Sequence, residues 1–312
     1  MKPDDSSLHS FELAAVERQA QDLLSRASAW GRFPTPVEDI LSAAKLRVAP
    51  KGMFDAAAFL AFVKRKTIQA AQTLKSALSK VLGLYDANEQ IIHIDDSVGV
   101  SKQTFLKLHE TGHHELPTHR KIFRLFQDCE QTLAPTIADQ FEREANNFAR
   151  YALFQGAAYK EMAADMPMAV KTPITLSKKF GASVYASARE FARTNHRACL
   201  VYILEPIHLV PGVLAYADVR RIEASPSFAQ QFGIPTAERI NVLHALGALL
   251  PIGRKMTRPT QLVYSDRNGV AHECLGEAFD TTHNVLLLIY PTRALNGSLI
   301  ALPERYQGLL GR

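Results

Sequence analysis

Cysteine is scarce in this 312-residue chain: three residues, Cys129, Cys199 and Cys274, odd in number and without close pair spacing. That excludes a disulfide framework and a cysteine-rich zinc knuckle, and leaves buried free thiols as the reading. Long hydrophobic runs are missing too. NVLLLIY near Val285 and HALGALLPIG near Leu246 fall well short of the ~20 apolar residues of a membrane span. The first residues, MKPDDSSLHSFE, are acidic and polar where a secretion leader is basic and then apolar, so a cytoplasmic protein away from membranes is expected. A formal net charge of +5 is modest for this length, and no strong basic stripe marks a nucleic-acid face. Internal repeats, low-complexity tracts and an obvious flexible linker are also absent. What remains is an ordinary globular composition, 47% hydrophobic and 21% charged, long enough for two domains.

Helical spacing of Phe11, Leu13, Ala14, Val16, Ala20, Leu23, Leu24 and Ala27 predicts an amphipathic first helix within Ser10 to Trp30, stopped by GRFPTP. PVEDILSAAKLRVAP reads as a short helix, with Pro36 near its start, running into a strand at Leu46 to Ala49. Apolar residues every three or four positions between Phe54 and Leu82 predict a long helix. Its Lys64, Arg65, Lys66, Lys75 and Lys80 are read as a solvated face. GLYDANEQIIHID follows as two strands around an Asp-Ala-Asn-Glu turn, the second being Gln90 to Ile94. Helices are then expected at Ser101 to Glu115, N-capped by Ser97 or Ser101, and at Thr136 to Phe154.

Against this ordinary background, LHETGHHELPTH, Leu108 to His119, holds four of the eleven histidines in twelve residues. At ~3.6 residues per turn, His109 and His113 lie one turn apart on one face. That is the H-E-x-x-H arrangement, in which two imidazoles hold a small cation and the carboxylate of Glu110 points at its open position. Gly112 weakens the helix by about 1 kcal/mol, which makes sense if something packs close against that turn. The other histidines, among them His93, His196, His208, His244, His272 and His283, have no ligand spacing.

A catalytic zinc site takes three protein ligands and a water. QFEREANNFAR offers Glu142 and Glu144 as the third, and their helix positions differ by about 200 degrees, so only one can face the metal. The apolar face of Phe141, Ala145, Phe148, Ala149 and Ala152 flanks Glu142 more closely, and Asn146 lies one turn from it, placed to orient a histidine. Spacing alone leaves both carboxylates open. An oxyanion donor could come from Tyr151, His114 or His119, although packing or a supporting role is the ordinary reading of each.

LHETGHH followed by FEREANNFARYALF resembles the ImmA/IrrE family of zinc-dependent peptidases, with a H-E-x-G-H helix and a later E-x-E-A-N-x-F-A helix. PTPVEDILSAAKLRV and GLYDANEQIIHID are similar to that family's opening segment and substrate-edge strand. The resemblance covers Pro34 to Phe154, less the Phe54 to Leu82 helix, which reads as an insertion. It departs where YALFQGAAY replaces the usual Leu-Leu-Met-Pro ending. The resemblance implies His109, His113 and Glu142 as zinc ligands, Glu110 as general base, Asn146 as the companion of Glu142 and a structural Glu144. His2Glu ligation also suits Mn2+ or Fe2+.

The expected architecture is α+β: a zincin-like domain of helices on a small sheet (1–158, insertion about 54–82), a helical helix-turn-helix-like linker (159–198) and a C-terminal mixed α/β sensing or docking module (199–312). In the linker, ITLSKKFGASVYASAREFART pairs two helices across Phe180 to Ser183, with Ser183 capping the second. Base-reading positions would be Val184, Tyr185, Ser187 and Arg189, not a basic face, so a structural pair is expected and direct DNA binding is not. In the last module ACLVYILEPIHLV, GVLAYADVRRIEA, TQLVYSD and HNVLLLIY read as strands and ERINVLHALGALL as helical. The expected function is a zinc-dependent endopeptidase making a limited regulatory cut in a partner protein, an XRE-type helix-turn-helix repressor by the resemblance. The competing reading is a non-proteolytic DNA-binding or scaffold regulator with a structural metal, which has no use for Glu110. A general protease is the weakest of the three readings.

Overall fold

A computed structural model describes residues 6–50, 83–86, 90–94, 98–120, 135–210 and 215–293. The expected helix at Phe54 to Leu82 with its lysines, the turn residues Ala87, Asn88 and Glu89, Ser97 and Cys129 lie outside these described residues. The described chain is α+β and divides into two compact units, residues 1–167 with 171–191, and residues 168–170 with 192–312.

The first unit sets helices on a small sheet. Helix α1 (Ser10–Arg26) buries Val16, Ala20, Leu23 and Leu24 along one face, while Phe11 at its start is exposed. The Glu12 carboxylate accepts the His9 amide at 2.9 Å and so satisfies one of the free donors at the helix start. Helix α2 (Val37–Ala43) leads to β1 (Arg47–Val48), which pairs parallel to β3 (Ile91–Ile94). Strand β2 (Gly83–Asp86) pairs antiparallel to β3 on its other side and forms the sheet edge.

Helix α3 (Val100–Glu115) packs on this sheet and on α4 (Pro135–Phe154). Its N-cap is Gly99, not Ser97 or Ser101. No side chain caps this end, and the Gly99 carbonyl accepts the amides of Lys102 and Gln103 at 2.9 and 3.0 Å. The α4 residues Phe141, Ala145, Phe148, Ala149 and Ala152 are all buried, and the three alanines let neighbouring backbone approach. Gly112 is the matching gap on α3. A Cβ there would lie 3.1 Å from Phe148 Cβ, tight enough to push the ring or the helix aside.

Helices α5 (Ala158–Ala164), α6 (Lys171–Phe180) and α7 (Val184–Thr194) follow. Ser183 Oγ accepts the Ala186 amide at 3.1 Å and caps α7. Ser187, on the face where a recognition helix would read bases, is fully buried, and its hydroxyl donates to the Pro173 carbonyl and lies 2.7 Å from the Tyr159 hydroxyl. Arg189 is also buried. Tyr159, Phe154 and Phe180 form an aromatic cluster around this helix pair, with ring centroids 4.8 to 5.8 Å apart.

The second unit is a curled, largely antiparallel seven-stranded sheet: β4 (Leu200–Leu204), β5 (His208–Leu209), β6 (Ala215–Ala224), β7 (Arg239–Asn241), β8 (Thr260–Ser265), β9 (Ala271–Asp280) and β10 (Val285–Pro291). Its order is β5-β6-β4-β10-β9-β8, with β7 on β6. Central β4 and β10 are buried along nearly their whole length and read as continuous apolar runs, whereas edge strand β8 alternates. Helix α8 (Pro226–Phe232) packs Phe228 and Phe232 into the core. Glu277 on β9 accepts the Val170 amide and the Tyr290 hydroxyl at 3.1 and 3.0 Å, fixing residues 168–170 to this unit.

One expectation fails here: ERINVLHALGALL is not a helix but β7, a turn and a short 3-10 segment (Gly247–Leu249). Asn241 Oδ1 accepts the amides of Leu243 and His244 at 2.9 and 3.0 Å, and His244 Nδ1 accepts that of Leu246 at 3.1 Å. Local side-chain acceptors thus take the amides that a helix would need. A Cβ on Gly247 would run into the Asn241 carbonyl and the Val242 backbone. Gly247→Ala is therefore expected to destabilise the protein by about 3 kcal/mol, read as a lowered denaturant midpoint at constant slope.

Candidate metal centre

The histidine helix and the carboxylate helix meet at one point. His109 Nε2 and His113 Nε2 lie 3.2 Å apart, with Glu142 Oε2 at 3.3 Å from the first and Oε1 at 3.6 Å from the second. Among the described residues these three form the group of histidine, cysteine and carboxylate side chains close enough to share a cation. The spacing fits such an ion. Ligands held ~2.0–2.1 Å from a tetrahedral metal stand about 3.3 Å from one another. His109 and His113 are buried, while the Glu142 side chain is 47% exposed, so solvent reaches the group from the Glu142 side.

Burial opposes charge on His109, but the hydrogen bond and charge of Glu142, together with Glu110 and Asn146, raise it to about 9. Burial and the His109 charge push His113 down to about 4 despite Glu142. Burial alone would raise the Glu142 carboxyl, but the two imidazoles hold it well below the usual carboxylate range. The Glu142 charge thus favours a proton on the imidazole beside it. An entering metal has to displace that proton, because imidazole ligates as the neutral base.

The surroundings differ for the two histidines. His109 Nδ1 lies 3.1 Å from Asn146 Oδ1. His113 Nδ1 lies 3.0 Å from His119 Nδ1, and His119 Nε2 lies 2.8 Å from Glu144 Oε2. Pro117 makes that second arrangement available. It forces Leu116 into extended backbone (ψ 117), ending α3, and residues 117–120 turn back as helix with His119 beneath His113. His119 is fully buried and stacked on Phe141, with centroids 4.0 Å apart.

Glu110, between the two histidines, is 8% exposed, and its charge acts on His109. Of the three candidate oxyanion donors, His119 has both ring nitrogens engaged elsewhere. The Tyr151 hydroxyl lies against the Gly156 turn with Glu17 as its charged neighbour. His114 is buried on α3. The partnership of His119 and Glu144 is not among the expectations drawn from the sequence. Its signal there is slight, a histidine just past a helix-breaking proline and an acidic residue two positions after Glu142.

Glu142→Ala is expected to abolish tight metal retention, measured by metal content after gel filtration. Glu144→Ala should weaken it by about tenfold, the effect of losing a group that supports a ligand.

No curated protein matches the chain. Among solved structures, one described as a Mycobacterium tuberculosis transcriptional regulator aligns at 9% identity and a TM-score of 0.47, over 88% of this chain and 74% of that one. Residues 69–191 match the sequence model of the IrrE N-terminal-like domain, Peptidase_M78; the match begins within the Phe54 to Leu82 segment and ends at Phe191, where the first compact unit also ends. Over residues 69–191 the chain is therefore similar to the IrrE N-terminal-like domain of Peptidase_M78, in agreement with the resemblance of its histidine and E-x-E-A-N helices.

Proposed function

We propose that the protein is a metal-dependent endopeptidase that makes a limited regulatory cut in a partner protein. The observation that carries this reading is the group of His109 Nε2, His113 Nε2 and the Glu142 carboxylate, at 3.2 to 3.6 Å from one another, beside the buried carboxylate of Glu110. The family of the matched domain is a peptidase family, which supports the same chemistry.

In this reading His109, His113 and Glu142 hold Zn2+, with Mn2+ or Fe2+ as alternatives for the same donor set. When bound, such a cation polarises the scissile carbonyl and makes a water acidic enough to attack near neutral pH. The chain's own residues do the rest. Glu110 takes the proton of the attacking water and returns it to the leaving amine, so that the nitrogen departs neutral. Asn146 keeps the His109 ring turned toward the group through the bond at Nδ1. The exposed side of Glu142 is the approach for a peptide.

The proposed substrate is an XRE-type helix-turn-helix repressor, with the second unit sensing a signal or docking that partner. It rests on the family resemblance, and the protein would act in the cytoplasm. Among the described residues no helix is long and apolar enough to cross a membrane. The DNA-binding alternative is disfavoured by the burial of Ser187 and Arg189 on α7, two of the four positions that would read bases.

Purified protein with Zn2+ is expected to cut a candidate repressor encoded beside it into discrete fragments on a gel. Glu110→Gln should retain its metal and slow the cut by about 10²–10⁴-fold, the usual worth of a positioned acid-base group. Cleavage at the normal rate would remove Glu110 from the mechanism.

A further inference from the structure

We propose that His119 and Glu144 form a positioning relay that holds His113 in the tautomer able to bind metal. The inference rests on reading His109, His113 and Glu142 as a metal site. His113 Nε2 faces that group, 3.2 Å from His109 Nε2 and 3.6 Å from Glu142 Oε1, so its lone pair must point there and its proton must sit on Nδ1. That Nδ1 is 3.0 Å from His119 Nδ1, which must then accept. A neutral imidazole accepting at Nδ1 carries its proton on Nε2, and His119 Nε2 lies 2.8 Å from Glu144 Oε2, an oxygen that can only accept.

For a neutral His119, reversing the direction fails at Glu144. If His119 donated from Nδ1, its Nε2 lone pair would face the carboxylate, and the displaced proton on His113 would occupy Nε2, where a metal has to bind. Glu144 is the group that selects one direction over the other. It is itself held: Gln140 Nε2 donates to Glu144 Oε1 at 3.0 Å and to Glu12 Oε1 at 3.0 Å, tying α4 to α1. His119 cannot turn away, because it is fully buried and stacked on Phe141. His109 is supported in a single step, by the neutral oxygen of Asn146, whereas His113 is supported in two steps ending on a charge. An imidazole backed by a carboxylate is the more basic ligand.

The test measures Zn2+ affinity by competition with a chromophoric chelator, and the melting temperature of the metal-free protein, for wild type and the variants His113→Ala, His119→Phe, His119→Gln and Glu144→Gln. His119→Phe keeps the stack on Phe141 but removes both bonds. It should bind Zn2+ about 10–100-fold more weakly, with a metal-free melting temperature somewhat lowered because the His113 Nδ1 and Glu144 Oε2 atoms lose their partner. In His119→Gln the carboxamide can still accept from His113 and donate to Glu144, so its affinity should stay within about threefold of wild type. Glu144→Gln should weaken binding several-fold.

Wild type that binds no Zn2+, or binds it independently of His113, overturns the metal reading itself. Binding that depends on His113 but is as tight in His119→Phe as in wild type overturns the relay and leaves the metal site standing. Equal losses in His119→Phe and His119→Gln, with the metal-free melting temperature lowered in both, also overturn it, because they mark a structural role. Should His119→Phe fail to fold, wild-type affinity in Glu144→Gln overturns the relay.

Discussion

The close approach of α3 to α4 is the constraint on which the site depends. Gly112 faces Phe148 with a gap that would leave a Cβ at 3.1 Å, and the alanines at 145, 149 and 152 clear the rest of the α4 face. At that separation the imidazoles of one helix and the carboxylate of the other come within 3.3 to 3.6 Å. The glycine weakens its helix by about 1 kcal/mol, and what it returns is geometric. A larger residue would press the carboxylate helix away from the histidine helix.

Placing two imidazoles and several carboxylates in one interior is unfavourable unless each polar atom has a partner. Here the partners come from separate segments: Asn146, Glu144 and Gln140 from α4, His119 from the turn after Pro117 and Glu12 from α1. The network therefore couples the orientation of the histidines to the packing of the whole helical layer. A metal site with fixed tautomers and fixed rotamers needs such support, because a ring free to turn loses geometry that a cation demands.

Much of this is legible in the chain itself. The period of α1 and α4, the H-E-x-x-H pair, the apolar face of α4 and the alternation of β8 follow from spacing, since burial on one face imposes a period of 3.6 or 2, while β4 and β10 show as continuous apolar runs buried on both faces and β6 as a strand-like run. The pairing of α6 with α7 across Phe180 to Ser183 is legible as well. Strand β9 and helix α8 are not. β9 carries His272, Glu273, Gly276 and Glu277 and breaks the apolar pattern, although Glu277 is buried because Val170 and Tyr290 satisfy it. α8 does advertise itself, with Ser225 as cap and Pro226 at its first position, but it is only seven residues long. The error over ERINVLHALGALL has the opposite origin: its spacing suits a helix, and the turn won because Asn241 and His244 offer acceptors to the same amides.

By itself the sequence determined what can be encoded within one element: that His109 and His113 share a helix face with Glu110 between them, and that Glu142 and Glu144 point to different sides of another helix. Helical rotation decides such things, and it depends only on position along the chain. Which carboxylate meets the histidines, and what the other one does, was decided by the docking of α3, α4 and α1 and by the bend at Pro117. Those depend on side-chain volumes and polar partners from residues far apart in the chain, and no local spacing records them.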